Sequence, residues 1–427
     1  MSGCGNTFLK ELSERRRFGM KPGLETIRSL CAALGDPQKR LRNVVHVAGT
    51  NGKGAVCAIL DAALRPHGGV ARYTSPHLVR LNERFFLDGA PISDAVLERA
   101  AAEVARLAPP DLTFFEALTA VAFEAFAEAD PEWTVLETGL GGRLDATNVC
   151  EPKLAVITKI GLDHCDWLGD TVEKIAAEKA GIIKPGVPVL LARNADSVID
   201  VVRRTAAEKG SPFFYAPDLA SDSDIPADFP LAGSFNRENC VTALAALKVL
   251  EKSSLRGFSL FAFHFPLSQV VWPGRFQRIG RFLVDGAHNP PAARALADAL
   301  ADSSASTSSL SLICGFCGDK DALEVLRILK PFVARGFAVR TNNPRSLSAE
   351  ATAALMDKAG IPAVACPSLK AAIREADGQS SDARQDVVST LICGSLFLAG
   401  EAIVELGAYP WGETRFDPSE LLKSSNL

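Results

Sequence analysis

Short apolar runs alternate with helix-like stretches through the first 200 residues. Val44–Ala48, Val70–Thr74, Trp133–Glu137, Leu154–Lys159 and Val187–Leu191 predict strands, and Gly54–Leu64, Phe115–Ala129 and Val172–Ile183 predict helices between them. Strands that are apolar throughout, rather than at every second residue, are buried on both faces; separated by helices, they form a parallel sheet. Ligands on such sheets bind at the carboxyl ends of the strands. The polar stretch "APDLASDSDIPADFPLAG" near residues 216 to 233 predicts a loop or remnant hairpin, and a helix from Asn236 to Leu250 follows. The Pro and Gly residues of "FHFPLSQVVWPGRFQRIG" suggest a linker. Beyond it "RFLVDGA", "SLICGF", "FAVRTNN" and "VVSTLICGS" repeat the strand-and-helix rhythm, interrupted by the low-complexity loop "DSSASTSSL". The expected layout is one α/β domain over residues 1–268, a linker over 269–280, a smaller α/β domain over 281–427, and a cleft between the two.

Composition narrows this picture. A chain of 427 residues, 47% hydrophobic and 22% charged, has the makings of an ordinary globular protein with a sizeable core. Net charge is −4, and Arg15–Arg17 is the only basic run, which argues against a nucleic-acid surface. No stretch reaches the 18 apolar residues of a membrane span, and the N-terminus lacks the apolar core of a signal peptide. Ten scattered cysteines fit reduced thiols in a cytoplasm, and Cys314 and Cys317 lack the second pair that a zinc site needs.

Candidate chemistry clusters at strand ends. In "NVVHVAGTNGKGAVCAILDAAL" a strand runs into a small-residue turn and then a helix, the form of a phosphate cradle with Lys53 placed for the anion. The usual loop places Ser or Thr directly after that Lys; here Gly54 and Ala55 follow. In "VLETGLGGRLDATN" Glu137 ends a strand, where a carboxylate serves as a hard oxygen ligand for Mg²⁺. Asp163 and His164 are expected to follow a strand directly. Lys179 lies in an amphipathic pattern with Glu173 and Glu178, where a solvated surface lysine is the simpler expectation. Asp285 and His288 stand at a strand end of the second part, and Arg275 in the linker could reach across the cleft.

The blocks "GTNGKG", "TSPHLVRLNERF", "LETGLGGRLDATN", "GLDHCDWLG", "EKAGIIKPG", "PGRFQ" and "DGAHNP" occur in order, and with them the chain resembles the folylpolyglutamate synthase/dihydrofolate synthase branch of the Mur ligase superfamily. The resemblance runs from "FGMKPGLETI" to "LICGSLFLAGEA". It implies an N-terminal P-loop ATPase domain with a parallel sheet and a smaller, Rossmann-like C-terminal ligase domain. It also implies an ATP-dependent ligase that adds L-glutamate to dihydropteroate, to reduced folates or to both, through an acyl phosphate.

The same resemblance implies roles for particular residues. ATP would be held by Asn51, Gly52, Lys53, Gly54, Ala55 and Val56, with Asn239, Arg275 and Asp285 completing the site across the cleft. Mg²⁺ would be bound by Ser75, Glu137 and His164. Lys179, as a carbamate, would be an extra carboxylate, and Lys53, Lys179 and His288 are the catalytic candidates. The pterin-side substrate would meet Thr113, Phe114, Phe115, Glu116, Leu144, Asp145 and Ala146. Ala55, where relatives carry Ser or Thr, and Phe235-Asn236, where they carry His-Gln, are departures that bear on metal and adenine contacts. A cytoplasmic monomer acting on small molecules is expected. Three other readings compete: a Mur-type ligase of a cell-wall precursor, a nucleotide-binding protein without catalysis, and a dinucleotide oxidoreductase. The "LTFFE" and "LDATN" blocks argue against the first. Ala55 alone supports the second. The glycines of "GLGGRLDATN" lack the G-x-G-x-x-G spacing that the third requires.

Overall fold

The computed structural model describes residues 4–14, 23–253, 267–302, 310–318, 320–378 and 388–412. Arg15–Arg17, the low-complexity residues 303–309 and the first residues of the stretch "FHFPLSQVVWPGRFQRIG", 263–266, lie outside them. Two sheets organise the chain. The first contains β1 (Val44–Ala48), β2 (Val70–Tyr73), β3 (Phe85–Leu87), β4 (Ala90–Pro91), β5 (Trp133–Glu137), β6 (Leu154–Ile157), β7 (Val189–Leu191) and β8 (Phe213–Tyr215). Their order is β4-β3-β2-β5-β1-β6-β7-β8, with every pairing parallel except those of β3, which runs antiparallel to β2 and forms a hairpin with β4 at one edge. The expected parallel sheet is therefore present, with a hairpin the apolar pattern does not predict.

Burial explains why the central strand is apolar at every position. All five residues of β1 are buried, because helix Lys53–Leu64 covers one face and helix Phe114–Ala129 the other. The one polar member, His46, is bonded through its Nε2 to Thr147, whose Oγ1 lies 2.8 Å away. Burial lowers its pKa to about 3, so the ring stays neutral.

The second sheet contains β9 (Gln277–Ile279), β10 (Phe282–Val284), β11 (Leu310–Cys314), β12 (Val333–Ala338), β13 (Ala363–Ala365) and β14 (Thr390–Cys393), in the order β13-β12-β11-β14-β10-β9. Only β9 is antiparallel. It lies inside the stretch expected as a linker, so the chain joins the second sheet at Gln277. Helix bounds also shift: Val172–Ala180 stops short of Ile183, and Ser234–Ser253 extends past the expected helix on both sides. The polar stretch after residue 216 is no hairpin; it holds the helical turns Ala216–Leu219 and Asp222–Asp224. No helix among the described residues is long and apolar enough to cross a membrane.

Candidate active site

The turn after β1 is built for close approach. Gly49 has φ +154, and a Cβ there would stand 1.8 Å from Thr158 Oγ1; Gly52 has φ +86, and a Cβ would stand 2.2 Å from Asn239 Oδ1. Only glycine is tolerated at such positions. The Thr50 and Asn51 amides donate to the Lys159 carbonyl at 2.9 and 3.2 Å, which pins the turn to the segment after β6. Helix Lys53–Leu64 starts at its end, so its free N–H groups face the cleft.

Three charged side chains converge there. Lys53 Nζ lies 3.8 Å from Glu137 Oε1 at the end of β5. The other Glu137 oxygen, Oε2, accepts the Ser75 amide at 2.9 Å. Burial raises the Glu137 pKa, and Lys53 opposes that rise. Lys179 is the correction to the surface-lysine expectation: it is 4% exposed, and its Nζ donates to the Gly49 carbonyl at 2.7 Å. Glu178 pairs with Arg143 instead. Burial, reinforced by the charge of Lys53, lowers the Lys179 pKa to about 7.

His164 also differs from expectation. Six residues separate it from the end of β6, and it begins the short helix Cys165–Leu168 with φ +51. Its neighbour Asp163 accepts the His164 amide at 3.0 Å and the Asn289 side-chain amide at 2.9 Å, a bond between the two domains. Asn289 lies inside "DGAHNP" yet escaped the sequence reading, which took only His288 and Asp285 from that block.

On the opposite wall, Asp285 is buried and accepts the Phe276 and Ala287 amides at 2.8 and 2.7 Å. Burial raises its pKa and Arg275 lowers it. His288 Nδ1 stands 2.8 Å from the Gly286 carbonyl, and burial depresses its pKa.

Together these residues line one cleft of about 620 Å³ between the domains. Its walls include Asn51, Gly52, Lys53, Gly54 and Ala55 of the turn, Ser75, Glu137, His164 and Lys179 from the first domain, and Asn239, Arg275, Asp285 and His288 opposite. Trp272, which the sequence reading passed over, lies so close to Gly54 that a Cβ there would be 2.2 Å from its ring. Val56 is fully buried behind the turn and does not line the cleft.

The block expected to hold the pterin side stands apart from this cleft. Thr113 and Glu116 cap helix Phe114–Ala129 reciprocally, with Thr113 Oγ1 donating to Glu116 Oε2 at 2.7 Å. Phe114 and Phe115 pack on the core below that helix. Asp145, between Leu144 and Ala146, accepts the Gly139 and Leu140 amides, each at 2.9 Å. Glu116 and Asp145 therefore shape backbone, and Phe115, against which a Gly139 Cβ would stand at 2.5 Å, is the member nearest the cleft wall.

Comparison with known proteins agrees with this architecture. Residues 47–216 match the Mur ligase middle domain and residues 274–396 the Mur ligase glutamate ligase domain. A dihydrofolate synthase/folylpolyglutamate synthase of Bacillus subtilis is 35% identical over 74% of this chain and 80% of its own length. A probable dihydrofolate synthetase of Schizosaccharomyces pombe is 32% identical over 89% of this chain and 97% of its own. Among solved structures, E. coli FolC in complex with DHPP and ADP superposes with a TM-score of 0.83 at 30% identity, covering 95% of this chain and 98% of that one. A Mycobacterium tuberculosis folylpolyglutamate synthase complexed with ADP and AMPPCP gives 0.82 at 31% identity, covering 95% and 99%. The chain belongs to the dihydrofolate synthase/folylpolyglutamate synthase family of Mur ligases.

Proposed function

We propose that the protein is an ATP-dependent ligase that forms an amide between L-glutamate and the carboxylate of dihydropteroate, of reduced folates, or of both, as a cytoplasmic monomer. The observation that carries this reading is the Lys53–Glu137 pair at the phosphate turn, with the buried Lys179 beside it and Arg275 and His288 facing it across one cleft.

A carboxylate is a poor acyl donor until one of its oxygens becomes a leaving group. The substrate carboxylate oxygen attacks the γ-phosphorus of ATP, the bond to the β–γ bridging oxygen breaks, and ADP leaves. The glutamate amine then attacks the acyl carbon, inorganic phosphate departs, and the nitrogen loses a proton. The first step asks the protein for positioning and positive charge, which the turn amides, Lys53 and Arg275 supply. His288, held by the Gly286 carbonyl and kept neutral by burial, is placed to orient the incoming amine.

The donor set suits Mg²⁺, which takes one or two protein carboxylates and completes its shell with phosphates and water. Glu137, Ser75 and His164 would hold it. Bound there, it would neutralise phosphate charge. Ala55 offers no hydroxyl, so water or phosphate would take that position. Lys179 is the group that would react with CO₂, losing a proton to give a carbamate oxygen ligand, because its pKa of about 7 leaves much of the amine unprotonated. The test is ADP release with L-glutamate and, in turn, dihydropteroate, tetrahydrofolate and a muramyl-nucleotide. Release that requires a pteroate-type carboxylate and glutamate together is expected. Equal release with the muramyl-nucleotide overturns the reading.

A further inference from the structure

Ser75 is the residue of the block Thr74–Phe85 that the proposed reaction uses, and the rest of that loop is tied to both domains. Its backbone turns three successive amides onto one carboxylate: Leu78 donates to Glu83 Oε2 at 2.7 Å, and Val79 and Arg80 donate to Glu83 Oε1 at 3.0 and 2.7 Å. A fourth donor arrives from 326 residues further along the chain, the Tyr409 hydroxyl, 2.8 Å from Glu83 Oε1. Trp411 sits edge-on to Phe86 of β3 at 5.2 Å and to Tyr409 at 5.7 Å.

The apolar residues of the loop face the second domain. Leu78 and Val79 are buried in one cluster with Phe282, Ile313 and Leu398. Helix Leu396–Glu405 approaches so closely that a Cβ on Gly400 would stand 2.3 Å from the Leu78 carbonyl oxygen. The loop thus starts at the first domain's sheet and packs in the second domain's core. At its near end, the Ser75 amide holds the Glu137 oxygen that does not face Lys53.

We propose that Glu83 and Tyr409 are positioning residues of the ligase: through them the end of the second domain holds the 75–84 loop so that Ser75 keeps the Glu137 carboxylate aimed at Lys53. The inference rests on the ligase reading above. A buried carboxylate with four donors is a stiff, charge-assisted node, and its bonds strengthen one another where water is excluded. Loosening it frees the loop at the end remote from the cleft and lets Ser75 drift. The nucleotide end of the site suffers first, because Ser75 and Glu137 stand beside Lys53 at the turn after β1.

Tyr409→Phe removes only the hydroxyl and keeps the ring against Trp411. In the full chain, it is expected to lower kcat/KM for ATP about tenfold, the scale of one charge-assisted hydrogen bond. KM for L-glutamate should stay unchanged and the melting midpoint should remain within about 3 °C of wild type. Glu83→Gln, which loses an acceptor for the loop amides as well, should fall further, and Tyr409→Phe added to it should do no additional harm. Titration of AMPPCP with Mg²⁺ into each variant, without the other substrates, should reproduce the ATP effect as weaker binding. An unchanged kcat/KM for ATP overturns the proposal. So do losses for ATP and glutamate that track the melting midpoint together, and so do additive losses in the double variant. If the wild-type protein releases no ADP with these substrates, the ligase reading fails, and the nucleotide titration still decides the positioning role.

Discussion

The two walls of the cleft carry acids of equal burial and use them differently. Glu137 and Asp285 are 3% and 4% exposed, and burial raises the pKa of both. Glu137 accepts one backbone amide and leaves its second oxygen to Lys53. Asp285 commits one oxygen to the Phe276 amide and the other to the Ala287 amide. The first keeps an oxygen facing Lys53 and the cleft, as the proposed metal-binding role requires, whereas the second shapes the backbone that carries Arg275 and His288. Burial at a strand end does not by itself distinguish these roles; the number of amides already on the carboxylate does.

The largest expected effect lies on the first wall. Lys53→Ala removes the ammonium that faces Glu137 and that the proposed mechanism places on the phosphates, and ADP release should fall about 1,000-fold. A stopped-time assay at saturating ATP checks it, and a loss below tenfold would move the phosphate site elsewhere.

Lys179→Ala comes next, with a loss of about 100-fold, the scale seen when a group supporting a metal site is removed. Acetate or formate should restore part of the activity by occupying the vacated position; near-full activity in the mutant would make Lys179 a packing residue. The pKa gives this a pH signature. Its folded value of about 7 lies below the ordinary 10.5, so between these values the unfolded chain holds the extra proton and stability rises with pH. Below the lower value, the cost of burying the charged amine is present in full. Carbamate formation needs the neutral amine, so a ¹³C-bicarbonate signal on Lys179 should grow from about pH 6 to about pH 8. A signal independent of pH breaks the link.

The contrast between the two acids is sharpened by isosteric changes. Glu137→Gln should lower activity with little change in unfolding, since it replaces only one amide contact and the pairing with Lys53. Asp285→Asn turns an NH₂ group toward a backbone amide and should destabilise by about 1–3 kcal/mol, read by urea denaturation. The reverse pattern would exchange the roles assigned here. The smallest effect is expected for Ala55→Ser: a few-fold lower Mg²⁺ requirement with the same products, measured by ADP release against Mg²⁺ concentration. An unchanged requirement would mean that the metal shell does not extend to residue 55.

Much of the architecture was legible along the chain, because continuous apolar runs are what doubly covered strands require. β1 and β5 coincide with the expected strands at both ends. The hairpin of β3 and β4 was missed: its strands are three and two residues long, too short for a periodic signal, although Asp88-Gly89 between them is a strong turn signal. β12 begins at Val333, ahead of the "FAVRTNN" stretch; its first half was not legible because Arg335 and Gly336 interrupt the apolar run there.

The sequence by itself determined the glycine-rich turn after β1, the strand-end position of Glu137 and the α/β rhythm of both domains, since each depends on residues adjacent in the chain. Tertiary structure decided what those residues became. Lys179 has the local pattern of a surface lysine, and only packing over Gly49 buries it and lowers its pKa. Thr113, Glu116 and Asp145, read as substrate contacts, spend their oxygens on helix caps and loop amides. Glu83 meets Tyr409, and Asp163 meets Asn289, only when the two domains close on each other. Charge and hydrogen-bond partners are set by neighbours in space, and the chain brings these together across 126 residues in one case and 326 in the other.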